Sequence, residues 1–273
     1  MKNTPLVKLK NYENIYIKLE TVQPTGSHKD RESEKVLDDA ISKGYREIGC
    51  TSTGNAAISL SAYALSAGLK CHIYIPNKIS IEKLNLIKAF SPVLHKLDSN
   101  YSEAVKISNK IMKKNGIYNA NAGSCEPRIE GNKSIGHELA ELNPSVVLCP
   151  TNNGTHIIGV WQGLMEKGVK CKMIAAICKK TDIATSIAGF AKNEGKKLDE
   201  CIIKSKGKIV NITDEEIKTA MKILAQNNIY CEPASAASLA AAKKLKLEND
   251  KEKIICTITG SGIKYPKLIK KIL

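Results

Sequence analysis

The chain has 273 residues, 42% hydrophobic and 25% charged, which excludes a disordered or fibrous protein and leaves room for one large domain or two ordinary ones. Its 42 Lys and Arg against 27 Asp and Glu give a formal net charge of +15. Only Arg31, Arg46 and Arg128 are arginines and aromatics are 4%, so the bidentate and stacking groups that read nucleic acid are scarce and no nucleic-acid partner is expected.

Short β-branched runs alternate with longer helical patterns along the chain. Strands are predicted over 15–19, 47–50, 71–75, 93–96, 146–149, 173–178, 208–212 and 254–258, and helices over 56–67, 101–114, 156–166, 214–226 and 234–245. Another helix is predicted to open near Lys29, and Thr213 with Glu216 forms a capping box for the helix after it. This alternation predicts an α/β architecture with open parallel sheets in two domains facing a cleft. With no linker or repeat to mark the boundaries, layering places a smaller domain over 40–125 and a larger one over 1–39 and 126–273.

No run approaches the roughly 18 apolar residues of a membrane span. The opening Met-Lys-Asn-Thr-Pro leads into no signal-like apolar stretch, so a cytoplasmic location and no membrane partner are expected. The nine cysteines are an odd number, scattered singly with no C-x-x-C pair, which predicts reduced, mostly buried thiols. The five histidines have no metal-ligand spacing, and no structural metal is expected.

Three predicted strands run into small-residue loops that feed a helix: T-S-T-G-N at 51–55, T-N-N-G-T at 151–155 and T-G-S-G at 259–262. The carboxyl ends of parallel strands are where α/β proteins bind ligands, and a helix N-terminus offers N–H groups to an anion. None is a P-loop or a dinucleotide loop, so nucleotide hydrolysis and hydride transfer lose their usual support. Lys29, in P-T-G-S-H-K-D-R at 24–31, stands at a helix N-terminus where the dipole opposes a cation and favours the neutral, nucleophilic amine.

That segment resembles the P-T-G-S-F-K-D-R of threonine synthases, pyridoxal-phosphate (PLP) enzymes of the tryptophan synthase β-like fold, or fold type II. The likeness continues in order through T-P-L at 4–6, T-S-T-G-N-A-A at 51–57, P-R-I-E-G-N-K-S at 127–134, P-T-N-N-G-T at 150–155, E-P-A-S-A-A-S at 232–238 and T-G-S-G-I-K at 259–264. The resemblance implies that pyridoxal 5'-phosphate is bound covalently by Lys29, which then moves protons as general base and acid. It implies that Asn152, Asn153, Gly154 and Thr155 cradle the cofactor phosphate, that Asn55 meets the ring 3'-oxygen and that Thr259 faces the ring nitrogen. A hydroxyl there makes a weaker electron sink than a carboxylate would, which favours elimination and replacement over transamination. Ser52 and Thr53 are implied to bind the substrate's anionic groups, and Arg128, helped by Ser124 and Lys133, its phosphate.

The resemblance thus implies a lyase that converts O-phosphohomoserine and water to threonine and phosphate, acting on a small anionic amino acid, with a mobile smaller domain and a homodimeric assembly. β-Replacement on O-phosphoserine, in the manner of a cysteate or cysteine synthase, is the nearest alternative. A serine/threonine dehydratase is next, and a non-catalytic nucleic-acid-binding relative is distant. The chain departs from the pattern at His28, in place of an aromatic, and at Glu32, in place of a glycine. At Asn152, also in place of a glycine, the backbone is expected to need positive φ or close approach. Glu126 puts a carboxylate before Arg128, where it would disfavour a phosphate unless turned away.

Overall fold

The computed structural model describes residues 3–76, 79–247 and 252–273. In chain order the strands are β1 (Leu6–Lys8), β2 (Ile15–Leu19), β3 (Glu47–Thr51), β4 (Lys70–Pro76), β5 (Val93–Leu97), β6 (Tyr118–Asn119), β7 (Val146–Pro150), β8 (Lys172–Ile177), β9 (Lys208–Asn211) and β10 (Ile254–Ile258). The helices are α1 (Lys29–Ser42), α2 (Asn55–Ser66), α3 (Ile81–Lys88), α4 (Tyr101–Asn115), α5 (Pro127–Ala140), α6 (Thr155–Glu166), α7 (Gly195–Lys204), α8 (Asp214–Gln226), α9 (Pro233–Lys244) and α10 (Pro266–Ile272).

The chain divides into two units, Met1–His28 with Asn132–Leu273, and Lys29–Gly131. In the first, six strands lie in the order β1-β2-β10-β7-β8-β9, all neighbours parallel except β1 on β2. Its central strands β7 and β10, V-V-L-C-P and I-I-C-T-I, are buried at every position, as expected of parallel strands covered on both faces. In the second unit, four parallel strands lie in the order β5-β4-β3-β6.

The predicted strands are all present, with each end unchanged or shifted by one residue. β1 and β6 have three and two residues, too few to print a period-2 pattern on the sequence. The second unit begins at Lys29, whereas the sequence reading began its smaller domain at 40. The reason is packing: Val36, Leu37 and Ala40 of α1 join the core that holds Ile48, Ile58 and Ile73, and Ser33 Oγ lies 2.7 Å from Ser59 Oγ of α2.

Within the first unit α6 packs closely on the part of α5 that follows Gly131. A Cβ on Gly136 would fall 2.3 Å from the Val160 carbonyl, and one on Gly163 would fall 2.1 Å from that of Lys133. All nine cysteines are buried and unpaired. Among the described residues no helix is long and apolar enough to cross a membrane.

Candidate active site

In the unit Lys29–Gly131, Lys29 is the first residue of α1 and lines a small pocket with Glu32, Ser33, Cys50, Ala120 and Arg128. One helical turn puts Glu32 on the same face, and its Oε1 accepts a hydrogen bond from Lys29 Nζ at 2.6 Å. Its other oxygen, Oε2, accepts from Arg128 Nε at 2.7 Å and lies 2.6 Å from Nη2, while Nη1 donates to the Ala120 carbonyl at 3.1 Å. The helix dipole is therefore not the only field acting on Lys29, because Glu32 supplies a counter-charge beside it. The carboxylate on Arg128 comes from Glu32, with Glu126 exposed to solvent. Cys50 is no rival nucleophile: burial, above all, pushes its thiol up to about 12.

The loop after β3 is fixed from below. Asn121 Oδ1 accepts from Thr51 N–H at 2.6 Å, and Thr51 Oγ1 lies 2.6 Å from Ser108 Oγ. Ser52 Oγ accepts from Gly54 N–H at 3.2 Å, Thr53 lies in the same turn, and buried Asn55 opens α2. Ser124 stands exposed in the turn before α5, its N–H bonded to the Asn121 carbonyl at 3.1 Å.

In the other unit, the loop after β7 leads into α6. Positive φ occurs at Gly154 (φ 102°) and not at Asn152. A Cβ on Gly154 would also stand 3.3 Å from Glu194 Cβ and Leu198 Cβ, so glycine is required at 154 and not at 152. Asn152 is fixed instead by its side chain, Oδ1 accepting from Ala191 N–H at 2.6 Å, and its carbonyl accepts from Lys192 N–H at 3.0 Å. The Asn153 carbonyl accepts from Glu194 N–H at 2.9 Å, and buried Thr155 donates its hydroxyl to Glu194 Oε1 at 2.9 Å.

Thr259, at the end of β10, places its hydroxyl 3.0 Å from Ser235 Oγ of α9, which explains a serine in the E-P-A-S-A-A-S segment. Its carbonyl accepts from His28 N–H at 2.9 Å, so the residue before Lys29 is anchored. The His28 ring lies 4.7 Å from that of His156, which is fixed by Asn132 Oδ1 at 2.9 Å and Thr257 Oγ1 at 3.1 Å. Lys133 Nζ is 2.8 Å from Glu166 Oε1. That carboxyl is held below its ordinary range first by the Lys133 bond and then by His137.

Glu32, Glu194 and Ser235 carry this arrangement beyond the site residues that the sequence singles out. Ser235 is signalled by its motif and Glu32 by its departure from one. Glu194 leaves no signal, since its bond to Thr155 spans 39 residues.

The profile of the family described as pyridoxal-phosphate dependent enzymes matches residues 1–260. The chain belongs to that family. The threonine synthase of Halalkalibacterium halodurans is 33% identical to it over 97% of this chain and 83% of its own. That of Methanocaldococcus jannaschii is 33% identical over 96% and 75%. A solved O-acetylserine-dependent cystathionine β-synthase from Helicobacter pylori superposes with a TM-score of 0.85 at 21% identity, covering 97% of this chain and 95% of that one. A cysteine synthase from Entamoeba histolytica does so at 0.83 and 21%, covering 100% and 93%. The fold is that of the fold type II, or tryptophan synthase β-like, PLP enzymes.

The cofactor of the family is pyridoxal 5'-phosphate, and residues here fit it. Ser27 Oγ, a hydroxyl that can donate to an anion, is buried and meets no hydrogen-bond partner among the described residues. α6 begins after Gly154, which as a glycine offers no side-chain cap, so an acceptor such as a phosphate can meet the N–H groups of its first turn. Lys29 is the residue that would hold the aldehyde carbon.

Proposed function

We propose that the chain is a PLP-dependent lyase that converts O-phosphohomoserine and water to threonine and phosphate. One observation carries this reading: a buried guanidinium, Arg128, lines the same pocket as Lys29. An arginine there suits an oxyanion on the substrate side chain, and the two threonine synthase relatives support the same choice. When bound, the cofactor supplies an electron sink for charge developing at the substrate Cα.

The rest falls to the chain. Lys29 Nζ takes the Cα proton and then a Cβ proton, and the phosphate leaves from Cγ. A proton is returned to Cγ to make the methyl group, water adds its hydroxyl at Cβ, and a proton is returned to Cα. Ser52, Thr53 and the α2 N-terminus with Asn55 hold the substrate carboxylate and the cofactor ring oxygen, in the unit Lys29–Gly131. Asn152, Asn153, Gly154 and Thr155 hold the cofactor phosphate, and Thr259 meets the ring nitrogen. Arg128 orients the leaving phosphate, with Ser124 and Lys133 as further contacts. The same reading carries a cytoplasmic homodimer, which sedimentation of the purified protein would test.

A second reading is favoured by the carboxylate of Glu32 on Arg128. A serine/threonine dehydratase expels a neutral hydroxyl and needs no phosphate clamp. β-Replacement on O-phosphoserine meets the same carboxylate as the first reading does. Assay of O-phosphohomoserine, O-phosphoserine and threonine side by side separates the three: phosphate with threonine from O-phosphohomoserine supports the first, phosphate released from O-phosphoserine alone supports β-replacement, and 2-oxobutyrate from threonine supports the dehydratase.

A further inference from the structure

Glu32 sits between the two cations of the pocket. It is 2% exposed, and it gives one carboxylate oxygen to Lys29 and the other to the Nε and Nη2 edge of Arg128, which is itself 7% exposed. An oxyanion brought to that edge by a ligand would need the contacts that Glu32 already makes. With Glu32 in place its carboxylate offsets the charge that Arg128 would otherwise present to an anion. A second anion beside a buried carboxylate is repelled, and strongly so where water is scarce.

From this geometry we infer that Glu32 is a specificity-determining residue, a built-in competitor for the oxyanion place at Arg128. A phosphorylated substrate side chain gains that arginine only by displacing the carboxylate. The inference rests on the reading of Lys29 as the cofactor lysine and Arg128 as the anion clamp, and it adds what the substrate must overcome there. A substrate whose leaving group is a hydroxyl meets no such competition. Glu32 therefore narrows the preference for phosphorylated over hydroxyl-bearing amino acids, and neutralising it widens that preference.

The test is a calorimetric titration of the PLP-loaded protein with inorganic phosphate, made on wild type, Glu32→Gln, Glu32→Ala and the double variant Glu32→Gln/Arg128→Met. The visible absorbance of bound cofactor and a cooperative thermal transition identify folded holoenzyme in each, and two substitutions at 32 guard against one failing to fold. The expected result is phosphate binding at least about tenfold tighter in the Glu32 variants than in wild type, with the gain lost in the double variant. Equal or weaker binding in the Glu32 variants, or a gain that survives loss of Arg128, overturns the inference. Turnover of O-phosphohomoserine is scored separately. A phosphate gain without turnover by any variant leaves the inference standing and removes the substrate reading, whereas wild-type turnover without a phosphate gain does the reverse.

Discussion

Glu32 Oε2 accepts from Arg128 Nε at 2.7 Å and lies 2.6 Å from Nη2, joining residues 96 positions apart in the sequence. Removing one member of a buried pair costs about 3–5 kcal/mol when the other charge is left without its counter-ion. Arg128→Met is expected to lower the unfolding free energy by about 3 kcal/mol, the low end of that range, because Lys29 still faces Glu32. Glu32→Gln is expected to lower it less, because an amide oxygen can still accept from the guanidinium. Urea unfolding of the three proteins checks this, and an Arg128→Met variant as stable as wild type would count against the pair as a structural element.

Lys29→Ala removes the group proposed as both cofactor anchor and proton carrier. The expected outcome is loss of the visible band of lysine-bound cofactor and at least a ~10³-fold fall in kcat. Spectra and steady-state rates measure both. Far-ultraviolet circular dichroism should be unchanged, since Lys29 begins its helix and is not part of the core.

Gly154→Ala is expected to weaken cofactor binding and to cost about 1–2 kcal/mol of stability, from the positive φ alone. The contacts at 3.3 Å with Glu194 and Leu198 add to that. Asn152→Gly should be milder, because the backbone there is not in the left-handed region. Cofactor titration of the two variants compares them directly.

His95, on β5, lies between His72, whose Nδ1 is 2.9 Å from its Nε2, and the ring of Tyr74 at 4.6 Å between centroids. Burial first, and then the charges of His72 and Lys70, depress its pKa below the ordinary value of 6.5. The unfolded chain therefore binds the proton more readily. The contribution to stability is complete above about pH 6.5 and is lost as the pH falls below it. Glu47 is held below its ordinary 4.5, chiefly by its bond to His72, so its own contribution is lost only at lower pH. The melting temperature is expected to fall from pH 6.5 towards 5, and His95→Asn to flatten that slope, as a pH series of thermal scans would record.

Much of the fold was legible because its buried strands are apolar and β-branched, as in I-I-C-T-I at 254–258, where burial on both faces erases any alternation. α5 is not among the predicted helices, since Gly131 and Gly136 interrupt its apolar pattern to let backbones approach closely. In the N-N-G-T loop the sequence expectation of positive φ or close approach at Asn152 is not met, because Asn152 fixes its position with side-chain hydrogen bonds and positive φ falls at Gly154. The bond from Glu32 to Arg128 could not be read from either motif alone, since spacing along a chain says nothing of contacts made across 96 residues.

The central claim, that a phosphorylated amino acid is the substrate, is tested most directly by incubating the cofactor-loaded protein with O-phosphohomoserine and measuring phosphate and amino-acid product together. The account predicts equal amounts of phosphate and threonine, with no 2-oxobutyrate formed from added threonine. Formation of 2-oxobutyrate from threonine, with no phosphate released from O-phosphohomoserine, would contradict it.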